Sequence, residues 1–273
     1  MNSFKRITLL GSGISGDVWA CLDSGRQVLA VKYFKQGREA AESEFRRGQS
    51  LSHPNIVQPL SFDIQDGVPV MTMPFLEGRS VENVAGFVTE RTAWQLIRDI
   101  ASALAYLDGE GLCHGDVKPS NILWDGKVFR LGDWGACFKR GEAPAEADRS
   151  SFRYAAPEKD RTEKSDIWSL GASVFFLVMG VPVFCGLGGK AQKKDSDIPL
   201  MRKSLPALSA CVKSCLAYAP EERPSAVDLA ALAGEQIRRC GSDVPVRPLK
   251  PFTQPVSSDP SAGFWPETMI DTL

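Results

Sequence analysis

Apolar and polar residues along the chain change their rhythm once, about a quarter of the way in. Residues 5–10, 17–22 and 26–34 are short runs of branched and apolar residues separated by glycines and polar clusters, a pattern that predicts three strands. Glu39 to Leu51 has helical spacing and stops before His53-Pro54, where proline disfavours helix in the residue ahead of it. Two more strands are predicted over Ile56–Phe62 and Val68–Met73, with Asp66-Gly67 as the turn between them. Pro74 to Gly78 reads as a connection.

Beyond it the period lengthens. Ala93, Leu96, Ile97, Ile100, Leu104 and Leu107 fall at the 3–4 spacing of one buried helix face, predicting a helix over Thr89–Leu107. Short strands over Ile122–Trp124 and Val128–Leu131 flank an Asp125-Gly126 turn, and further helices are predicted over Glu163–Met179, Leu205–Leu216 and Ser225–Ile237. Residues 241–273, rich in Pro, Ser and Asp, read as a tail. A strand-rich first third followed by a helical remainder describes an α+β protein in two unequal lobes, with no internal repeat.

Composition changes this picture little. Of 273 residues 43% are hydrophobic and 24% charged, ordinary for a globular protein, and the net charge of -1 gives no global field favouring nucleic acid or an anionic membrane. The longest apolar stretch, Leu170 to Phe184, is interrupted by Gly171, Ser173, Gly180 and Pro182, so it predicts a buried core helix and no membrane span. Seven cysteines without framework spacing, and no signal-peptide pattern, point to a reducing cytosol. Cys211 and Cys215, at i,i+4, are expected to share a packed face, since a chain with two histidines is poorly supplied for zinc.

The candidate chemistry begins at Gly11-Ser12-Gly13-Ile14-Ser15-Gly16-Asp17-Val18. Glycines at this spacing let a turn approach phosphates and leave backbone N–H groups for anions; a plain glycine-rich hairpin is the competing reading. Because these glycines join two strands, the dinucleotide fingerprint, which leads from strand into helix, is disfavoured. Lys32 lies among apolar residues on the third predicted strand and needs an anionic partner unless it snorkels from an edge. Glu44 is the candidate partner, with Glu42 and Glu39 as alternatives in a different register.

His114-Gly115-Asp116-Val117-Lys118-Pro119-Ser120-Asn121 puts an acid, a cation and an amide within six residues, ahead of a short strand. Phosphoryl transfer asks for little more: a carboxylate to orient a hydroxyl, a cation for the γ-phosphate, and oxygen ligands for magnesium. Asp133-Trp134-Gly135 follows a second short strand, where its carboxylate can take a metal ion. Either acid alone would pass for a turn residue. The ordered set does not.

In this order the sequence resembles the eukaryotic-like Ser/Thr protein kinase family over about residues 5–238. The resemblance runs through the glycine loop (Gly11, Gly13, Gly16), Lys32, Glu44 and the catalytic loop (Asp116, Lys118, Asn121). It continues through the metal-binding Asp133, Ala156-Pro157-Glu158, Ser165-Asp166-Ile167-Trp168-Ser169-Leu170-Gly171 and Glu222-Arg223-Pro224. It implies a bilobal fold: a five-stranded antiparallel N-lobe sheet with one main helix (1–73), a hinge (74–78), a mostly helical C-lobe (79–240) and the tail. It also implies transfer of the ATP γ-phosphoryl group to a protein hydroxyl, with Mg2+ or alternatively Mn2+.

Catalytic residues by this resemblance are Asp116, Lys118, Lys32 and Glu44, and the metal ligands are Asn121 and Asp133. ATP is expected against Gly11, Ser12, Gly13, Gly16, Val18, Ala30, Lys32, Met73 as gatekeeper, Pro74, Leu76 and Leu123. Asp166 is expected to support the catalytic-loop backbone, and Arg223 to pair with Glu158. Lys118 is similar to the Ser/Thr rather than the Tyr branch, and Ser151 stands where a threonine usually faces the catalytic loop. The compact chain suits a bacterial member.

Three positions depart from the family. Gly115 replaces the arginine that normally grips a phosphorylated loop, which predicts substantial basal activity; Ser150, Ser151 and Tyr154 are the candidate phosphate acceptors. Trp134 replaces a phenylalanine, and Gly48 stands where a large apolar residue would pack on that ring. A size exchange between these two is the hypothesis, with drift or a shifted register as the plain reading. His-Gly-Asp is also how aminoglycoside- and choline-type kinases spell this loop, so a small-molecule kinase is one rival and a pseudokinase scaffold another. Pro248, Pro251, Pro255, Phe252, Phe264 and Trp265 make the tail a candidate for docking on a partner or on the chain itself.

Overall fold

The computed structural model describes residues 4–77, 80–83, 85–86, 88–142, 152–184 and 205–240. Ser150, Ser151, Gly78 and the tail 241–273 lie outside the described residues.

Strands β1 (Lys5–Ser12), β2 (Gly16–Leu22), β3 (Val28–Phe34), β4 (Ser61–Gln65) and β5 (Val68–Pro74) form an antiparallel sheet in the order β1-β2-β3-β5-β4, with helix α1 (Arg38–Ser50) between β3 and β4. Alternation sorts the side chains onto two faces. Cys21, Leu29, Val31 and Val70 are buried on one face beneath Phe4, Trp19 and Tyr33, and the Arg6 guanidinium lies 4.1 Å from the Tyr33 ring centroid. On the other face Val18 pairs with Lys32 and Lys32 with Met71, while Ala20 pairs with Ala30 and Ala30 with Met73. Helix α1 packs on this face through Ala41, against Phe34 and Met71. The Asp66-Gly67 turn has φ of 50° and 81°, the left-handed pair that a tight hairpin needs.

The run Ile56–Phe62, expected as one strand, is split. Pro59, which lacks an N–H and so cannot donate to a ladder, divides it. Downstream of it β4 starts at Ser61. Upstream, Ile56 bridges in parallel to Leu131: the Val57 N–H donates to the Leu131 carbonyl at 2.8 Å, and the Leu131 N–H to the Asn55 carbonyl at 2.9 Å. Its first half therefore belongs to the helical part. Strand β5 runs into the first residue of the expected connection, since Pro74 still pairs with Leu29.

Helix α2 (Glu90–Gly109) starts on Thr89, whose hydroxyl accepts the Thr92 N–H. Then come β6 (Leu112–Cys113), β7 (Ile122–Trp124), β8 (Phe129–Leu131) and β9 (Phe138–Lys139), paired as β6 with β9 and β7 with β8. Helix α3 (Glu163–Met179) begins on a Thr162/Ser165 capping box and ends at Gly180 with φ 76°. It is buried on nearly every side, as expected for a core helix, and no described helix is long and apolar enough to cross a membrane. Helices α4 (Pro206–Cys215) and α5 (Ala226–Arg239) complete the described fold. Cys211 and Cys215 are buried in the same core, and a Cβ on Gly171 of α3 would lie 2.6 Å from the Cys215 Cβ, so α3 and α4 meet at bare backbone.

Candidate active site

The glycine hairpin joins β1 to β2. Gly16 is required by packing, since a Cβ there would lie 2.4 Å from the Tyr33 carbonyl oxygen. Gly11 is not, because among the described residues nothing lies within 4 Å of its would-be Cβ. The Gly13 N–H closes the turn on the Gly16 carbonyl at 2.9 Å. Above it, Lys35 donates to Asp17 Oδ1 at 2.6 Å and to the Gly13 carbonyl at 3.2 Å, and the Ser12 hydroxyl donates to the same Asp17 oxygen at 2.5 Å.

The inner face of the sheet carries Lys32, 4% exposed, with Glu44 at 2%. The Lys32 ammonium donates to Glu44 Oε1 at 2.7 Å, Oε2 at 3.0 Å and Asp133 Oδ1 at 3.4 Å. Glu44 is thus the partner, ahead of Glu42, which pairs with Arg38. Burial pulls the ammonium down, but the carboxylates of Asp133 and Glu44 outweigh it and hold Lys32 above its ordinary value. Burial, and after it the charge of Asp133, push the Glu44 carboxyl up to about 7, with Lys32 opposing them. Burial also pushes Asp133 upward; Lys32, then Lys118 and the Gly135 N–H, bring it below the usual carboxylate range. Asp133 has a left-handed φ of 67°, uncommon for a residue with a side chain, so its backbone is held by its surroundings.

The loop His114–Asn121 is fixed from beneath. Asp166, at the start of α3, accepts the His114 N–H at 2.7 Å and the Gly115 N–H at 2.9 Å. His114 is fully buried; its Nδ1 accepts the Asp116 N–H at 3.3 Å and its Nε2 faces the Gly132 carbonyl at 3.1 Å, which sets the proton on Nε2. Asp116 Oδ2 receives Lys118 at 2.7 Å and the Asn121 amide nitrogen at 3.1 Å, and that amide also reaches the Asp116 carbonyl at 2.9 Å. With its nitrogen so committed, Asn121 turns its oxygen the other way. An ionised Asp133 and an amide oxygen are hard donors that suit a Mg2+-like ion, which takes few protein ligands and completes its shell with phosphate and water.

Gly115 could not be an arginine on this backbone. Its φ is 77°, and a Cβ would lie 2.6 Å from the Ala136 carbonyl oxygen. The size exchange at Trp134 is equally concrete: a Cβ on Gly48 would meet Trp134 Cδ1 at 2.4 Å and the Pro59 ring at 2.8 Å. The indole is buried, donates from Nε1 to the Val57 carbonyl at 3.0 Å and stands edge-on to His114 with centroids 5.2 Å apart.

Val18, Ala30 and Met73 share the inner face by register, Pro74 and Leu76 follow on β5 and its exit, and Leu123 bridges to Ser80 just beyond them. Glu158 and Arg223 form a two-bond ion pair at 2.7 and 2.8 Å, and Ser165 donates to Glu158 Oε1 at 2.7 Å. Tyr154 is half-buried with its ring 6.2 Å from Phe176.

Sequence reasoning missed Arg47 and Arg161. Arg47 donates to the carbonyls of Gly135 and Cys137, and Arg161 to that of Gly115 at 3.1 Å. Both act on main-chain oxygens, which leave no mark on residue type.

Comparison with known proteins agrees with this geometry. The family model for the protein kinase domain matches residues 4–232. The chain is 29% identical over 255 residues (81% of it, 17% of the relative) to the Saccharomyces cerevisiae serine/threonine-protein kinase BCK1/SLK1/SSP31. It is 32% identical over 203 residues (67% of it, 39% of the relative) to the Caenorhabditis elegans MAP kinase-activated protein kinase mak-1. It is 28% identical over 256 residues (81% and 19%) to the human mitogen-activated protein kinase kinase kinase 19. The chain thus spans less than half the length of these relatives. With the family model covering most of its length and the site assembled as described, the chain belongs to the protein kinase domain family.

Proposed function

We propose that the chain is a serine/threonine protein kinase that transfers the γ-phosphoryl group of ATP to a protein hydroxyl. The observation that carries the reading is the Asp116 carboxylate, held by Lys118 and Asn121 on a loop that Asp166 fastens to α3. Names of the relatives support the Ser/Thr class. Support for a protein rather than a small-molecule substrate comes from Glu158, which Arg223 and Ser165 tie to the start of α3, giving a fixed floor beside the catalytic loop.

The roles follow from chemistry. Gly11, Ser12, Gly13 and Gly16 present backbone to the phosphates, and Val18, Ala30, Met73 and Leu123 wall the adenine, with Pro74 and Leu76 offering backbone groups. Lys32, oriented by Glu44, points a permanent cation at the non-transferred phosphates. A divalent ion held by Asn121 and Asp133 would neutralise phosphate charge; Mg2+ is the assignment, with Mn2+ as the alternative. Asp116 accepts the hydrogen bond of the substrate hydroxyl and aligns its oxygen. That oxygen bonds to the γ-phosphorus as the bond to the bridging oxygen breaks and its O–H proton passes to the Asp116 carboxylate; the product is a phosphoester, ADP leaves, and Lys118 steadies the charge on the group in transit.

We assign residues 1–240 to the catalytic domain, and the cytosolic reading draws on the free thiols of the described cysteines. Because the described contacts assemble without an arginine at position 115, substantial basal activity is part of the proposal. The test is purified protein with Mg-ATP, a generic protein substrate and an Asp116→Ala control. Phosphoserine or phosphothreonine that the control abolishes supports the reading; labelling of an aminoglycoside or choline alone, or no transfer at all, sinks it.

A further inference from the structure

Helix α1 begins on Gly37 with no side-chain cap, so its placement depends on what its inner face touches. Glu44, Arg47 and Gly48 fall at i, i+3 and i+4, on one face, and all meet the segment Asp133–Cys137. Gly135 lies so close to Glu44 that a Cβ there would be 3.1 Å from Oε2, and Gly48 receives Trp134. Between these contacts the Arg47 Nη1 donates to the Gly135 carbonyl at 3.3 Å and to the Cys137 carbonyl. Its Nε and Nη2 are braced one turn back, on the Ser43 carbonyl at 3.2 Å and the Ser43 hydroxyl at 2.9 Å. A guanidinium has a rigid fork of donors, so this double bracing fixes where Nη1 can point. Its two acceptors are main-chain oxygens, present whatever the modification state of the chain. Across the segment, Gly115 has no room for a side chain that could reach it from the catalytic loop.

We propose that Arg47 is a positioning residue: by tying α1 to the main chain after Asp133, it holds the Lys32–Glu44 pair and Asp133 in register without phosphorylation of the chain. The inference rests on the kinase reading for its consequence, but the contact can be read without turnover.

The experiment uses the full chain, phosphatase-treated and untreated, as wild type, Arg47→Ala and Arg47→Lys. Hydrogen exchange is followed over residues 38–50 and 133–139, together with melting temperature and kinetics of phosphoryl transfer. Arg47→Ala should speed exchange in both segments and lower kcat by roughly tenfold to a hundredfold, the range for losing hydrogen bonds from a charged donor, with a smaller change in protein-substrate KM. Arg47→Lys, which keeps the charge but not the fork, should fall between, and it reads the same contact should the alanine variant fail to fold. Phosphatase treatment should leave wild-type exchange unchanged. Unchanged exchange and kcat in the variants overturn the proposal. So does a fall in melting temperature with kcat preserved, which marks a merely structural contact, or phosphatase treatment that loosens wild type to the variant's level. A wild type that transfers no phosphate would instead break the functional reading, while the exchange measurement still decides the contact.

Discussion

The loop His114–Asn121 and the glycine hairpin Gly11–Gly16, to which the proposed function assigns catalysis and phosphate binding, are held in opposite ways. His114–Asn121 is fastened by buried partners: Asp166 on two backbone N–H groups, His114 between Asp116 and Gly132, and Trp134 beside it. The hairpin Gly11–Gly16 hangs from exposed contacts, chiefly Lys35 and Ser12 on Asp17. Buried hydrogen bonds leave an expensive unsatisfied group when broken, whereas exposed ion pairs contribute about 0–1 kcal/mol each. On the proposed function the difference is a division of labour: the groups assigned to the chemistry sit on an over-determined base, and the element assigned to the phosphates rests on contacts cheap enough to open and close.

Breaking the base should cost most. Asp166→Ala leaves the buried His114 N–H and the part-buried Gly115 N–H without their acceptor and should destabilise the fold by roughly 2–4 kcal/mol. Turnover should fall by about a hundredfold or more as Asp116 loses its placement, checked by urea titration and kinetics. Next, Gly48→Ala should destabilise by about 1–3 kcal/mol although alanine is the better helix former, because the indole and the Pro59 ring occupy the Cβ position. Adding Trp134→Phe should recover part of that loss. Strict additivity of the two changes in a double-mutant cycle would show that the residues do not share one space.

A third test follows acid. Burial pushes the Glu158 carboxyl up, but Arg223 and Ser165 outweigh it and hold it below its ordinary value of 4.5. A depressed folded-state value stabilises fully above the unfolded value, and that contribution is lost as pH falls through the folded one. Glu158→Gln should therefore lower the melting temperature near neutrality, with the gap to wild type closing below about pH 4.5. A gap that stays constant would show that charge plays no part. Smallest of all, Lys35→Ala should leave stability within about 1 kcal/mol of wild type and change KM for ATP only a few-fold, measured by melting and initial rates. A large effect there would erase the contrast between hairpin and loop.

Much of this arrangement could be read from residue types, because the proposed chemistry calls for particular ones. Order and spacing singled out Lys32, Asp116, Asn121 and Asp133, and the structure brings Lys32 to Asp133 and Asp116 to Asn121. The Gly48–Trp134 exchange was legible because a missing side chain and an oversized one are visible as letters. What stayed hidden depends on main-chain atoms or distant pairing. The run from Ile56 looked like one strand, but its first residues pair with Leu131, which local periodicity cannot reveal. Arg47 reads as one more surface cation of an amphipathic helix, and its partners are carbonyls 88 and 90 residues away. Strands β6 and β9, two residues each, are too short to show a period.

The central claim, that the chain couples a nucleotide site to phosphoryl transfer through Asp116, is tested most directly by comparing wild type with Asp116→Asn for Mg-ATP affinity and for phosphate transfer to protein. The account predicts similar affinities, with serine or threonine phosphorylation by wild type and a loss of about a hundredfold to ten-thousandfold in the variant. Binding without transfer by wild type, or equal transfer by both, would contradict it.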